Sequence, residues 1–328
     1  MIQHLLLLAA GLAFVLKGGD LFVDSSVQIA RIFRIPRIVI GATLVSIATT
    51  APELSVSSMA SWMGEADIAI GNAVGSVIAN IGLIVGLVMA LTEVRLQAKD
   101  FRRRAIWYAA AMLILIGFSY QGFVGKVQSF VLILFAFAYV GAQYCAALQD
   151  RPKPGTVAAE EESPVHDKVW SRKRSFLIFL AGLGMVLIGS RLMVDSGIAV
   201  AEALRIPSLV IGLTIIAIGT SLPELVTGLT SVRKGYPDLS IGNIIGANIL
   251  DLTLIVGVSG VINPLVVSRD TVQYSYPYMV IISIFFLGTF LRKGISRRWN
   301  GWVLLAIYGL YITGLVNFAL HSSLNQST

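Results

Sequence analysis

One segment of this chain occurs twice, and the repeat constrains the fold more than any other feature of the sequence. The first copy runs from Gly41 to Leu87 and the second from Gly212 to Val258, aligned without a gap at a constant offset of 171 residues. At this offset Glu53 falls on Glu224. Each copy therefore carries one carboxylate in the middle of an apolar segment, which predicts one cation site built from two halves.

Composition identifies the class of protein. Hydrophobic residues make up 56% of the chain, charged residues 13%, and the mean hydropathy is +0.80. Soluble domains carry about 25% charged residues. The sequence predicts an all-α, polytopic membrane protein, because each span needs roughly 20 apolar residues. Ten segments are predicted to span: about 2–24, 37–61, 67–92, 105–122, 127–148, 175–198, 208–232, 238–263, 273–291 and 299–320.

One long polar stretch divides the chain into two halves. Residues 150–174 read as a linker between a first half-repeat, 1–149, and a second, 175–328, within a single membrane domain. Five spans in each half would invert the second copy relative to the first. Inverted repeats are a common plan of transporters, with the site where the repeats meet.

Basic residues predict the orientation. Of the 25 Lys and Arg residues, 20 fall on one side of the predicted topology. They lie in 31–37, 95–104, 151–174, 233–234 and 292–298. The positive-inside rule then places the linker in the cytoplasm and both termini outside, in the cell (inner or plasma) membrane. The net charge of +7 therefore comes from basic residues that set the membrane orientation. We expect no nucleic acid partner.

A proline precedes each glutamate. Pro52 and Pro223 lack an amide donor, so backbone carbonyls just before them are expected to be free. The expected carbonyls are those of Ser46, Ala48, Thr49, Ala217, Gly219 and Thr220. Thr49 and Thr220 also lie one helical turn before the glutamates, on the same face. Carboxylate, hydroxyl and carbonyl oxygens suit Ca²⁺ or Na⁺. The alternative is a kinked packing helix with a protonated glutamate, which two copies make less favourable.

A second motif follows each glutamate. The first copy reads Gly71-Asn72-x-x-Gly75-Ser76-x-x-x-Asn80, and the second ends in Ala247 and Asp251. Ser76 and Asn80 share a helical face, and polar groups within a span usually face a bundle interior. The glycines indicate close helix packing. Asn72 and Asn243 fit either an ion ligand or the cap of a broken helix.

Other polar residues point to less specific roles. Asp24 and Asp195 lie near span ends, where we expect interfacial positions or pairs with Arg34, Arg37 or Arg191. A single cysteine and three scattered histidines exclude a metal centre of those ligands. The sequence contains no nucleophile–base pair, phosphate loop or redox cysteine pair, so we expect no enzyme and no cofactor.

These motifs resemble a known family. GxTxxxIxTxxPE followed by GNxxG(S/A)xxx(N/D), present once in each half, is similar to the paired repeats of the cation/Ca²⁺ exchanger superfamily, and most similar to prokaryotic sodium/calcium exchangers. The resemblance implies a secondary antiporter that exchanges Ca²⁺ for Na⁺ by alternating access, with the first and sixth spans sliding across a rigid core. The partners would be these ions and the bilayer, with no protein partner required.

The resemblance also implies a set of ion ligands. Glu53 and Glu224 would be shared by Ca²⁺ and Na⁺. The remaining ligands would be Thr49, Thr50, Thr220, Ser221, Ser76, Asn80, Asp251 and the carbonyls of Ser46 and Ala217.

Two departures from the family pattern concern Na⁺. Ala247 stands where an archaeal member has serine, and Ala48-Thr49-Thr50-Ala51 replaces the usual Gly-Thr-Ser-Leu or Gly-Thr-Ser-Val. A proton-coupled exchanger of Ca²⁺ or another divalent cation is therefore the alternative. A cation channel is less favoured, because a channel needs a continuous pore and two buried carboxylates would instead bind a cation tightly. A non-transporting scaffold or sensor does not explain the intramembrane acids.

Overall fold

The computed structural model describes residues 2–33, 35–149, 170–203, 217–269 and 271–325. Within these residues the predicted all-α class is confirmed. The first half contains α1 (Ile2–Phe33), α2 (Arg37–Ile40), α3 (Ser46–Thr49), α4 (Ala51–Trp62), α5 (Ala66–Ala79), α6 (Gly86–Leu91), α7 (Ala98–Ser119) and α8 (Lys126–Gln149). The second half contains α9 (Arg172–Ala203), α10 (Ala217–Thr220), α11 (Leu222–Arg233), α12 (Pro237–Leu250), α13 (Val256–Ile262), α14 (Tyr276–Lys293) and α15 (Arg298–Asn325).

Within the described ranges, four wide π-helical turns interrupt or precede the helices. They are π1 (Gly41–Val45), π2 (Asn80–Val85), π3 (Asp251–Ile255) and π4 (Thr271–Ser275). π2 and π3 begin at residues related by the repeat offset, and each lies inside a continuous helical run, Ala66–Leu91 or Pro237–Ile262. Single π turns inside α-helices occur frequently at functional sites.

Five helical runs of the described residues are long and apolar enough to cross a membrane. They are Ala66–Leu91, Lys126–Ala146, Arg172–Met193, Pro237–Ile262 and Thr271–Leu291. A sixth is possible if Ala9–Phe33 and Arg37–Thr49, bent by 117°, form one broken span. The count of ten stays a prediction, because residues 204–216 and the linker residues 150–169 lie outside the described residues.

Glycines with positive φ end equivalent helices in the two halves. Gly64 (φ 85°) follows α4 and Gly235 (φ 78°) follows α11, again at the repeat offset. L-residues with a side chain rarely adopt this conformation, so glycine is favoured at both turns. Each turn reverses the chain, which brings α5 back against α4 and α12 back against α11.

Short extended segments connect the halves at two places. Strand β1 (Phe123–Val124) pairs antiparallel with β2 (Leu265–Val266), a small sheet that the sequence analysis did not predict. A β-bridge joins Arg95 to Ile295, which are the counterparts of Val266 and Val124 at the repeat offset. Reciprocal contacts of this kind are what a two-fold relation between the halves produces.

The main hydrophobic core lies around the two runs that carry the repeated motifs. Ala66–Leu91 and Pro237–Ile262 are mostly buried, whereas Lys126–Ala146 and Arg172–Met193 mostly face outward. Helices α7, α14 and α15 pack around the buried runs. Helices α1 and α9 contribute to a second, smaller cluster that includes Phe22 and Phe179. The motifs therefore lie at the centre of the protein.

Candidate functional site

The two repeated glutamates lie in the first turns of α4 and α11. Glu53 is 1% exposed and Glu224 is fully buried. Each helix begins after a break, at Thr50 (φ −79°, ψ 2°) and at Ser221 (φ −88°, ψ 10°), with proline in its first turn. Proline fits there because the first amides of a helix have no intrahelical acceptor. The positive end of each helix dipole stabilises its glutamate as an anion inside the protein.

Reciprocal hydrogen bonds join the two halves at the breaks before α4 and α11. Thr49 donates from Oγ1 to Oδ1 of Asn243 at 3.3 Å, and its counterpart Thr220 donates to Oδ1 of Asn72 at 3.4 Å. Ser221 adds a third link, because its Oγ lies 3.5 Å from Oε1 of Glu53. Each glutamate-bearing break is thus held by side chains of the other half.

A third acidic residue faces the same region. Asp251 and its counterpart Asn80 are both buried, and each begins a π turn. Glu53 lies close enough to Glu224 and Asp251 to be repelled electrostatically by both. Asn80 donates from Nδ2 to Oδ1 of Asn248 at 3.0 Å. Three carboxylates and a pair of amides therefore share one buried region between the halves.

Oxygen atoms of this region lack hydrogen-bond donors among the described residues. The buried atoms without a partner are Glu53 Oε2, both carboxylate oxygens of Glu224 and of Asp251, Ser76 Oγ and Asn80 Oδ1. Buried polar atoms are nearly always hydrogen-bonded, and an unsatisfied one costs about 1–3 kcal/mol, more if it is charged. Cations bound in this region would satisfy such oxygens, and no apolar ligand would.

The remaining predicted ligands lie next to these oxygens along the chain. Ser46, Thr49, Thr50 and Ser221 are buried, and Thr220 is half-buried. Ala217 begins α10, and its side chain lies outside the described part of the structure. The structure thus places most of the predicted set at the two helix breaks and the two π turns.

The carbonyl of Ser46 differs from the expectation. It accepts the amide of Thr50 at 3.0 Å and the hydroxyls of Thr50 and Thr49 at 2.8 and 3.4 Å. The prediction that proline leaves this carbonyl free is therefore wrong. The physical reason is that the threonine hydroxyls fold back onto the preceding turn, as Ser and Thr side chains in helices commonly do.

The type of ligand decides which cations fit. Within the described residues, no three His, Cys, Asp or Glu side chains converge closely enough to hold a metal on their own. A cation here must take part of its coordination from hydroxyl, amide or carbonyl oxygens. An all-oxygen set of this kind suits hard cations such as Ca²⁺ and Na⁺ and disfavours soft ones.

Sequence reasoning did not identify Asn248 and left the asparagines Asn72 and Asn243 undecided. Asn72 donates to Oγ of Ser57 at 2.9 Å and to the carbonyl of Glu53 at 3.3 Å. Asn243 donates to Oγ1 of Thr227 at 3.2 Å. These amides therefore brace the glutamate-bearing helices. The available signal for Asn248 was a polar residue within an apolar run, one turn before Asp251.

The predicted partners of the peripheral acids are partly right. Asp195 pairs with Arg191 at 2.8 Å, as expected. The observed partner of Asp24 is none of the expected arginines, because Asp24 pairs with Lys234 at 2.6 Å, and Arg34 lies outside the described residues. Arg37, one of the expected partners of Asp24, pairs with Asp238 at 3.2 Å. Both of these ion pairs join residues of different halves. The repeat offset relates equivalent positions and does not predict such contacts.

Comparisons with known proteins identify the family of this chain. A family model described as sodium/calcium exchanger protein matches residues 3–145 and 174–317. The chain is 33% identical to the sodium/calcium exchanger MaX1 of Methanosarcina acetivorans, covering 95% of this chain and 98% of that protein. It is also 33% identical to the putative antiporter CaxA of Alkalimonas amylolytica, with 88% and 90% covered.

A solved structure shows the same fold. The structure of the sodium-calcium exchanger NCX_Mj soaked with 2.5 mM Na⁺ and 0.1 mM Ca²⁺ superimposes with a TM-score of 0.83 at 30% identity. The match covers 96% of this chain and 99% of that one. The likeness therefore extends over both halves and is not limited to the repeated motifs.

Proposed function

The chain belongs to the sodium/calcium exchanger family, and on that premise we propose that it is a secondary antiporter that exchanges Ca²⁺ for Na⁺ at the site between its halves. The observation that carries the assignment of the site is the group of buried, unpartnered oxygens on Glu53, Glu224 and Asp251. Burying these carboxylates without a cation costs free energy, and a bound cation offsets that cost.

The ligands divide into two kinds. Glu53 and Glu224 supply the negative charge that one Ca²⁺ or more than one Na⁺ neutralises. Asp251 adds a third negative charge or holds a proton. Uncharged oxygens complete the coordination. They come from Thr49, Thr50, Thr220, Ser221, Ser76 and Asn80, and from the carbonyl of Ala217.

Coupling follows from the cost of an empty site. Without a cation, the repulsion between the glutamates at low dielectric opposes closing the protein over the site. Either Ca²⁺ or Na⁺ removes this repulsion. The transition between inward-facing and outward-facing states therefore occurs with ions bound, and Na⁺ moving one way drives Ca²⁺ the other way.

The topology is part of the proposal. Residues 1–149 and 175–328 form two inverted five-helix halves, joined by the linker 150–174, with the linker in the cytoplasm and both termini outside. The distribution of Lys and Arg supports this orientation. The end of α1 and the start of α9 lie on the same side, because the amide of Trp170 donates to Oε1 of Gln28 at 3.3 Å.

The decisive experiment measures ⁴⁵Ca²⁺ uptake into proteoliposomes. We expect uptake when a Na⁺ gradient is imposed, and none above background for Glu53→Gln or Glu224→Gln. Glu65→Gln is the matched control, because Glu65 is exposed at a helix end and should leave uptake unchanged. Wild-type uptake by Glu53→Gln or Glu224→Gln would contradict the assigned site.

The second candidate is a proton-coupled exchanger. Ala247, the counterpart of Ser76, is fully buried and offers no side-chain oxygen to the second half of the site. This reduces the number of oxygens available for Na⁺. In the same proteoliposomes, uptake driven by a pH gradient and independent of Na⁺ would favour this alternative.

A further inference from the structure

Helices α1 and α9 form a layer that is distinct from the rest of the protein. They pack tightly against each other: a methyl group at Gly18 would lie 2.7 Å from Cβ of Met185, and one at Gly182 would lie 2.6 Å from the amide nitrogen of Phe22. The large core cluster contains no described residue of either helix. Close packing through glycine holds such a helix pair together as a unit.

Four charged side chains join this layer to α11. Nζ of Lys234 lies 2.6 Å from Oδ1 of Asp24 and 3.6 Å from Oδ1 of Asp20, and it donates to the backbone carbonyl of Asp20 at 3.3 Å. Arg233 pairs with Asp20 as well. Lys234 is the most enclosed of the four, at 21% exposure of its side chain. We call Asp20, Asp24, Arg233 and Lys234 the α1–α11 ion cluster.

The cluster lies at the end of α11, beside the part of that helix that α1 covers. Helix α11 carries Glu224 in its first turn and ends beside Lys234. Between these residues α1 lies directly on α11, because a methyl group at Gly19 would lie 2.8 Å from Cγ1 of Val226 and 3.0 Å from Oγ1 of Thr230. Helix α1 therefore covers α11 between Glu224 and the side of the linker.

Among the described residues, α4 and α9 form no equivalent cluster. At the repeat offset, Asp20 and Asp24 correspond to Arg191 and Asp195, which pair with each other on α9. Arg233 and Lys234 correspond to Trp62 and Met63, which carry no charge and are 78% and 69% exposed. The end of α4 thus cannot form with α9 the ion pairs that α11 forms with α1.

This asymmetry biases the transport cycle. In a transporter built from inverted repeats, the opposite state arises when the two halves exchange conformations. Helix α9 would then cover α4, without ion pairs, and α1 would separate from α11. We propose that Asp20, Asp24, Arg233 and Lys234 are positioning residues that favour the state closed on the side of the linker. The proposal depends on the exchange function proposed above.

The test compares Ca²⁺ affinity at the two membrane faces. Lys234→Met introduces the residue found at the counterpart position, Met63. It removes the positively charged side chain that lies between Asp20 and Asp24. The state open toward the linker then becomes more populated, and apparent affinity scales with the population of the competent state. In inside-out and right-side-out vesicles, we expect the KM for Ca²⁺ to fall about twofold to fivefold at the linker face and to rise at the opposite face.

A conservative variant separates this effect from damage to the fold. Lys234→Arg keeps a cation beside Asp20 and Asp24 and should keep the ratio of the two KM values near that of the wild type. Arg191→Gln with Asp195→Asn is the matched control, because that pair lies within one helix, and the ratio should not change.

The outcomes distinguish the two proposals. If the wild-type protein shows no Na⁺-dependent flux in these vesicles, the proposed function fails. If the wild type exchanges normally and Lys234→Met changes KM equally at both faces, or not at all, the proposed role of the ion cluster is overturned. A ratio for Lys234→Arg that shifts as far as the ratio for Lys234→Met, with transport retained, would overturn it as well.

Discussion

Thr49 donates a hydrogen bond to Oδ1 of Asn243 at 3.3 Å, and this bond joins the first half of the chain to the second. The counterpart bond, from Thr220 to Asn72, has nearly the same length. The two bonds hold the breaks before Glu53 and Glu224 against the opposite half. The carboxylates are therefore positioned by residues far from them in sequence.

This relationship predicts the effect of removing one hydroxyl. Thr49→Val keeps the shape of the side chain and leaves Asn243 without this donor, so we expect the protein to lose about 1 kcal/mol of stability. It should also lose part of its Ca²⁺ affinity, since Thr49 is a proposed ligand. Thermal unfolding in detergent and Ca²⁺ flux measure the two effects. Thr313→Val, at an exposed helical position, is the control, and equal behaviour of the two variants would refute the prediction.

Ser221 allows a test that is specific to the carboxylate. Its hydroxyl reaches Oε1 of Glu53 at 3.5 Å, so Ser221→Ala removes a polar group beside the charge. We expect the KM for Ca²⁺ to rise about threefold to tenfold, which corresponds to the loss of about 1 kcal/mol from one ordinary hydrogen bond. Ser55→Ala changes an exposed serine on α4 and should leave KM unchanged. A KM for Ser221→Ala equal to that of the wild type would exclude Ser221 from the site.

Gly246 tests the close approach of α12 to the segment that carries Ser46. A methyl group at Gly246 would lie 2.5 Å from Oγ of Ser46 and 2.7 Å from the carbonyl oxygen of Ala42. The backbone cannot yield without separating the two elements, so Gly246→Ala should cost about 1–3 kcal/mol and reduce transport. In Gly141→Ala, a methyl group would meet no described atom within 4 Å. That control should unfold at or above the wild-type temperature, and the prediction fails if Gly246→Ala does so too.

Protons should compete with Ca²⁺ for the two glutamates. A protonated Glu53 or Glu224 is neutral and no longer attracts a cation, so Ca²⁺ must displace the proton to bind. With the Na⁺ gradient held constant and no pH gradient, we expect the KM for Ca²⁺ to rise as pH falls. A flux that stays constant from alkaline to mildly acid pH would contradict this competition.

Much of the fold could be predicted from the repeat alone. The offset of 171 residues correctly paired Glu53 with Glu224, and the structure places both in the first turns of equivalent helices. Hydropathy correctly predicted the all-α class, because long apolar runs favour helices in a bilayer, whereas the count of ten spans stays a prediction. The structure adds that Gly64 and Gly235 end equivalent helices with positive φ, which the sequence analysis did not predict.

The contacts between halves could not be predicted in the same way. An offset relates equivalent positions, but it does not state which residue of one half touches which residue of the other. The hydrogen bond of Thr49 to Asn243 and the ion pair of Lys234 with Asp24 are contacts between halves that the offset does not predict. The hydrogen bonds of the Ser46 carbonyl depended on rotamers of Thr49 and Thr50, which no sequence pattern specifies.

The wide turn at Asn80–Val85 sets the angular phase between the two ends of its run. Before the turn, Ser76 belongs to the buried oxygen region; after it, Gly86 approaches Leu305 of α15 so closely that a methyl group would lie 3.0 Å from Cγ of that leucine. If the same residues wound as ordinary α-helix, whose step of about 100° per residue is larger than that of the wider π turn, Ser76 would rotate by on the order of 100° about the axis relative to Gly86. The segment would still be apolar enough to insert, yet its oxygens would point elsewhere. The winding of a single turn thus decides which face of the run presents them.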